Sequence, residues 1–495
     1  MISAYTKEIR AVVIISLLKL LLLILLPLTG DEAYFITWAQ HPMAGYYDHP
    51  PMIGWILYLM SFISHNYLFY RLFAFAAILM VAYILYRIAR VYVNKETAFL
   101  VALALLASPV EILVIMMTND VPLLLFGSLG TLFLLYSLQK AAWLRYALLS
   151  GLFLGLAFLS KYFAVFLMLG LLLYVLSTYR SRALRSVSVV ITVILLFVAQ
   201  NLYFNYHNCW NNIMFNFFSR TAQSHFQLSS VLGYLALLLY LITPWGLYYL
   251  VTARARLKST GVIRLCGAIL AVALGIFFIV SLKKSIGLHW LLLFVPYLFL
   301  LFSMLDRAQL QKIIRFNARF SYLHLALLFA VLITPVSLFK EHKRYADVVL
   351  FTQPQSICSV INNRDLTPLF AYGYSTASLL SYHCKREVHM LYNTNKYGRL
   401  DDKLFDVRTL NKQNFFLLDK RAFNAHDMAL FESTCQQVNV ESLRIDDAAF
   451  YLMQCQQFDY NAYKEQILKR LKAKYYTFPS WLPRAPCYFL QRYHL

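Results

Sequence analysis

The sequence predicts a polytopic α-helical membrane protein of about eleven transmembrane helices with a C-terminal soluble α/β domain. Three observations predict it. Apolar runs long enough to cross a bilayer, roughly 17 to 25 residues, recur from Val12 to Leu338. Basic residues gather in groups between those runs. Beyond Lys340 the composition turns to the Asn, Gln, Asp and Lys mixture of a water-soluble domain. The 495 residues are 60% hydrophobic and 14% charged, where a soluble domain is about one quarter charged.

The apolar runs lie near residues 11–28, 67–86, 97–115, 119–138, 187–204, 229–250, 265–282, 288–305 and 321–338. A further run, 146–179, is too long for one helix and holds Lys161 near its middle, so two helices are expected to meet at a short turn there. The first run has Lys7 and Arg10 before it but no small-residue cleavage site before Gly30-Asp31-Glu32, so it is expected to be retained rather than removed as a signal peptide. Lys19 sits inside it and must face the bundle or reach for the interface. Residues 1–339 are expected to form the membrane domain and residues 340–495 the external one.

The net charge of +22 decides orientation rather than pointing to nucleic acid. Of the 45 Lys and Arg, 24 fall in residues 1–339, against 8 of the 23 Asp and Glu. With eleven spans, the groups Lys7/Arg10, Arg87/Arg90/Lys95, Lys140/Arg145, Arg180/Arg182/Arg185, Arg254/Arg256/Lys258/Arg264 and Arg307/Lys312/Arg315/Arg319 all fall on one side. The positive-inside rule makes that side cytoplasmic. The N-terminus is then expected in the cytoplasm and residues 340–495 in the periplasm of a bacterial inner membrane, with no nucleic-acid partner.

The remaining ionisable residues gather at the outer ends of the helices: Asp31, Glu32, Asp48, His49, Arg71, Glu111, Asp120, Lys161, Arg220, Lys283, Lys284 and His289. Charge near membrane depth is costly and usually lines an aqueous cavity or site. The first outer loop, Gly30 to Trp55, opens with Asp31 and Glu32, which a helix N-terminus would also favour as capping acids. Tyr47-Asp48-His49-Pro50-Pro51 presents an acid and an imidazole on a rigid diproline. Asp120 precedes Pro122, a pairing that suits a helix start as well as a site. Lys161 and Lys283-Lys284 are candidates either to balance those acids or to grip a phosphate as compact charges. Attack on an anomeric carbon needs a carboxylate to accept the hydroxyl proton and cations to stabilise the departing phosphate, and both kinds are present outside.

These motifs, in this order and on this side, resemble the polyprenyl-phosphate-dependent glycosyltransferases of the GT-C fold, the group that includes protein O-mannosyltransferases and the lipid A aminoarabinose transferase. The resemblance covers roughly residues 10–340 and rests on Gly30-Asp31-Glu32, Tyr47-Asp48-His49-Pro50-Pro51, Asn119-Asp120-Val121-Pro122, Leu159-Ser160-Lys161, and Lys283-Lys284 with Trp290 to Pro296. It implies a sugar donor on a polyprenyl monophosphate, Asp31 as the acid-base residue, and a site between the first outer loop and the bundle. Glu32 and Asp120 join Asp31 as candidate catalytic acids, and Tyr47, Asp48, His49, Lys161, Arg220, Lys283, Lys284 and His289 as candidate substrate-binding residues. Where aminoarabinose transferases read Glu-Lys-Pro-Pro, this chain reads Asp48-His49-Pro50-Pro51, replacing a fixed charge with a titrating one. The expected partners are the polyprenyl-phosphate sugar, membrane lipids, and a lipid, glycan or protein acceptor. No cofactor is required, although adjacent Asp31 and Glu32 allow a divalent ion.

A P-loop, a dinucleotide-binding glycine motif and a zinc-type Cys/His spacing are all missing from the sequence, which disfavours a cytoplasmic nucleotide-sugar enzyme. Two other readings stay open: a transporter or polyprenyl-lipid flippase, for which no internal repeat is evident, and a glycan polymerase or ligase using a diphosphate-linked donor.

In the external domain, residues 346–352 and 376–381 are expected to be helical, and residues 369–372, 415–418, 437–443 and 450–453 to be strands. The basic run Lys464/Lys469/Arg470/Lys472/Lys474 reads as a solvated helix face. Cys266 lies in a span, while the other six cysteines are external and even in number, which permits disulfides. Cys435 and Cys455, flanking two expected strands, are the favoured pair.

Overall fold

The structure is a computed structural model and describes residues 5–179, 183–219, 225–253 and 261–495. Arg220 and the loop cations Arg180, Arg182, Arg254, Arg256 and Lys258 lie outside the described residues. The chain folds into two compact units. One comprises residues 1–26, 62–200 and 223–332, the other residues 27–61, 201–222 and 333–495. The second unit therefore does not begin at a single cut near residue 340. It takes in the first outer loop and residues 201–222, which begin within the last turns of the helix that ends at His207.

Helices α1 (Thr6–Leu25), α2 (Gly30–Gln40), α3 (Met52–Ser61), α4 (Tyr67–Ala89), α5 (Lys95–Leu106), α6 (Asp120–Gln139), α7 (Trp143–Ser160), α8 (Ala164–Tyr179) and α9 (Leu184–His207) follow in order. Further apolar helices span Leu228–Ile242, Pro244–Thr252, Gly261–Ser281 and Arg307–Ile333, with a shorter composite from Leu288 to Met304. Each expected apolar run is thus helical, but their lengths differ. Among the described residues six helices are long and apolar enough to cross a bilayer, or up to eight if α1 with α2, and Leu228–Ile242 with Pro244–Thr252, each count as one span.

Proline accounts for two of the departures. Ser108-Pro109 ends α5 and starts a 3-10 turn over Pro109–Val114, so the run 97–115 makes only a 12-residue α-helix. Pro244 breaks the run 229–250 at Thr243, where the two helices bend by 80°. The pair α7 and α8 meets at Lys161, as the length of that apolar run required.

Two buried charges tie the first unit together. Lys19 on α1 donates to the Leu106 carbonyl at 3.4 Å and faces the charge of Glu111, a partner that could not be named from the sequence. Arg71 on α4, fully buried, donates to the carbonyls of Leu23 (3.0 Å) and Leu26 (2.6 Å), satisfying acceptors that the end of α1 leaves open.

In the second unit a five-stranded sheet is built from β1 (Leu369–Ala371), β2 (His389–Met390), β3 (Phe415–Asp419), β4 (Cys435–Ile445) and β5 (Ala448–Phe458), in the order β2-β1-β3-β5-β4. β1 is parallel to β2 and β3, whereas β5 runs antiparallel to β3 and β4. The β4–β5 hairpin turns through Asp446 and Asp447, both with positive φ, as a two-residue hairpin loop demands. Phe370, Phe415, Leu417, Met453, Phe458 and Ile467 centre its core. Three disulfides join Cys435–Cys455 across the hairpin, Cys358–Cys384, and Cys209–Cys487, while Cys266 is a buried thiol.

Candidate active site

The acids of the first outer loop owe their positions to a helix start. Thr29 caps α2 with a capping box: its hydroxyl accepts from the Glu32 amide at 3.3 Å, and the Glu32 carboxylate accepts from the Thr29 amide at 3.2 Å and hydroxyl at 2.9 Å. Glu32 is buried in that structural task. Asp31, on the same helical turn, is exposed. It accepts a hydrogen bond at Oδ1 from the Tyr374 hydroxyl, 3.0 Å away, at the start of the helix Tyr374–Cys384. Burial first, then the negative charge of Asp31, pushes the Tyr374 phenol well above its ordinary 10.0, so the hydroxyl remains a donor.

Three residues after Asp31, and hence on the same face of α2, Tyr34 donates to Asp48 Oδ2 at 2.8 Å within the buried interior. The rings of Tyr34 and Tyr374 meet edge to face at 5.0 Å. Asp31 and Asp48, two of the three acids that the sequence singled out in this loop, are thereby connected through two tyrosines that it did not. The loop carrying Asp48 is held from another side. Asn212 Nδ2 donates to the Tyr46 carbonyl (2.8 Å) and Asn216 Nδ2 to the Asp48 carbonyl (3.0 Å). Tyr47 is buried with its ring 5.3 Å from that of Phe215. His49 is half-buried, and its ring centroid is 6.3 Å from that of Trp38. The adjacent Pro50-Pro51 leads directly into α3.

Four further predicted residues belong to one unit with Asp120, in the membrane bundle. Asp120 begins α6 and Lys161 caps α7; both are buried, and Lys161 Nζ donates to Asp120 Oδ1 at 2.7 Å. The lysine also lies 5.1 Å from the Phe163 ring centroid. Here the balancing role weighed for Lys161 is the one the geometry carries. Lys283 is exposed, Lys284 stands 5.7 Å over the Trp290 ring, and His289 is exposed beside the same indole. These three make a basic cluster after the helix Gly261–Ser281. Among the described residues no group of three or more His, Cys, Asp or Glu side chains is arranged to hold a metal ion.

A second polar cluster lies within the sheet domain. Arg399 is 2% exposed, 3.4 Å from Asp402, and Asp402 accepts from Tyr476 at 2.7 Å. Asp401 accepts from the Met390 amide at 2.7 Å and faces His389 Nδ1 at 3.4 Å. Burial opposes the charge on His389, but the bond to Asp401 and the charges of Asp401 and Glu387 outweigh it and raise the imidazole above its ordinary 6.5.

The chain is similar to several known proteins. Residues 48–204 match the family described as dolichyl-phosphate-mannose-protein mannosyltransferase. The lipid A galacturonosyltransferase RgtD of Rhizobium johnstonii is 30% identical over 179 residues, a match spanning 35% of this chain and 38% of that protein. ArnT from Cupriavidus metallidurans superposes at a TM-score of 0.62 in the apo state and 0.64 bound to undecaprenyl phosphate, covering 91% of this chain and 98% of that one at 17% and 16% identity. The chain therefore shares the fold of ArnT, with apolar helices long enough to cross a membrane and a match to the mannosyltransferase family over residues 48–204.

Proposed function

We propose that the chain is a glycosyltransferase that moves a sugar from a polyprenyl phosphate, in particular undecaprenyl phosphate, to lipid A, at the periplasmic face of a bacterial inner membrane. The observation that carries this reading is Asp31: an exposed carboxylate at a helix start, held through one oxygen by a neutral phenol, in a chain of the GT-C fold. The lipid A galacturonosyltransferase similarity supports the acceptor, and the ArnT structure holding undecaprenyl phosphate supports the donor.

In the reaction the acceptor hydroxyl attacks the anomeric carbon of the sugar. Its O–H proton passes to Asp31, the new C–O bond forms to the acceptor oxygen, and the bond from the anomeric carbon to the phosphate oxygen breaks. The electron pair leaves on the polyprenyl phosphate. We assign Lys283, Lys284, His289 and Arg220 the role of binding that phosphate, and Tyr47, Asp48 and His49 that of binding the sugar. Glu32 and Asp120 serve structure rather than proton transfer, since one closes a capping box and the other an ion pair.

The test is transfer by the purified protein in detergent. Undecaprenyl-phosphate-linked galacturonic acid, aminoarabinose and mannose would each be supplied with lipid A, and the products weighed by mass spectrometry. A sugar-sized mass increase on lipid A is expected with one donor. No increase with any of them would sink the reading. A periplasm-dependent reporter fused after Leu495 tests the orientation, and its activity is expected only outside the cytoplasm.

A further inference from the structure

We infer that Tyr374 is a positioning residue for sugar transfer, fixing Asp31 through Oδ1 and leaving Oδ2 as the oxygen that takes the acceptor proton. The inference deepens the reading above and rests on it.

The geometry is specific to this task. Tyr374 lies 343 residues from Asp31 in sequence, yet its hydroxyl donates to one carboxylate oxygen at 3.0 Å. Its ring is held in turn. Tyr34 packs edge-on to it at 5.0 Å, and Tyr397 lies at 6.4 Å. Tyr34 is itself anchored by its bond to Asp48.

The backbone carries the same message. Gly30 opens α2, and a Cβ placed there would lie 1.7 Å from Ser375 Oγ, so a side chain is excluded where the two helix starts approach. The far end of the tyrosine's helix is tied by the Cys384–Cys358 disulfide. The start of one helix thus presents a hydroxyl to the carboxylate at the start of another, and neither start has room to drift. A carboxylate held by one oxygen loses rotamer freedom without losing its charge. That is what a base needs if it is to meet a hydroxyl in a defined orientation.

The experiment compares the unaltered full-length protein with Tyr374→Phe, Asp31→Asn and the double variant, supplying lipid A and each of the three undecaprenyl-phosphate sugars named above, and measures rates with the one that the unaltered protein transfers. Tyr374→Phe keeps the ring that packs on Tyr34, so its thermal unfolding is expected to be close to that of the unaltered protein. We expect kcat to fall about tenfold to a hundredfold, the rate equivalent of one hydrogen bond to a charged group, while KM for the donor stays within about twofold. In the Asp31→Asn background the second substitution is expected to add less than about twofold, because Tyr374 acts through Asp31. A change confined to KM would make Tyr374 a substrate contact and overturn the inference. So would full activity of Tyr374→Phe, or an undiminished effect in the Asp31→Asn background. Full activity of Asp31→Asn, or no transfer by the unaltered protein, removes the underlying reading and the inference with it.

Discussion

Asp120 in the membrane bundle and Asp31 in the second unit are both aspartates in the first turn of a helix, and they are held in opposite ways. Asp120 is buried and met by an ammonium at 2.7 Å, so its charge is compensated on the spot. Asp31 is exposed and met by a phenol at 3.0 Å, so its bond fixes the carboxylate and leaves the charge in place. Position in the helix is therefore uninformative about role. The nature of the donor is what separates the two, and under the proposed function it leaves Asp31 as the acid that takes a proton.

The largest effect expected from this contrast is on catalysis. Asp31→Asn should lower transfer by on the order of 10² to 10⁴ while leaving the melting temperature in detergent near that of the unaltered protein, because Asn still accepts from Tyr374 and suits a helix start. Asp120→Asn should show its deficit first in stability. If the two substitutions cost activity and stability in the same proportion, the contrast between the acids fails.

The bundle acid gives the next test. Lys161→Ala strands the buried Asp120 carboxylate, and breaking a buried pair in this way costs roughly 3–5 kcal/mol. The volume-conserving pair Lys161→Met with Asp120→Leu should recover most of that in chemical unfolding. A Lys161→Ala protein that unfolds normally but no longer binds undecaprenyl phosphate would move this lysine to the donor site instead.

A smaller effect isolates the approach of the two helix starts. Gly30→Ala forces Ser375 aside and should destabilise by about 1–3 kcal/mol, the usual cost of overpacking, with transfer reduced as Tyr374 is displaced. Adding Ser375→Gly should restore both. Failure of the second change to rescue the first would mean that Gly30 is required for another reason.

The smallest concerns pH. The folded-state value of His389 is raised above its unfolded one, so its contribution to stability is complete below about 6.5 and is lost as pH rises through the elevated value. Unfolding midpoints measured from pH 6 to 8 should fall slightly for the unaltered protein and more shallowly for His389→Gln. Equal slopes would show that the bond to Asp401 contributes nothing measurable.

Much of the fold was legible because it is local. Hydropathy located the longer apolar helices but missed the ten-residue α3, and the sequence also pointed to β1, β3, β4 and β5, whereas the two-residue β2 is too short to produce a pattern. Span lengths were harder, since Pro109 and Pro244 sit inside runs that hydropathy averages over. The Cys435–Cys455 bridge could be read because it closes a single hairpin. The site was legible only in its acids. Tyr374, Asn212 and Asn216 act across 343, 166 and 168 residues, and such contacts leave no trace in a local window. Their chemistry offered no cue either, in a chain with 36 tyrosines.

The Cys209–Cys487 bond joins positions 278 residues apart. A ribosome making this protein releases the first partner long before the second exists. Until Cys487 has been made, Cys209 must wait as a thiol while several apolar helices are delivered to the membrane behind it. The bond therefore records synthesis as far as its second cysteine: a product truncated before Cys487, or one whose Cys487 stays in a reducing compartment, cannot acquire it. Where Cys487 arrives in an oxidising space, the ring closes around everything made in between.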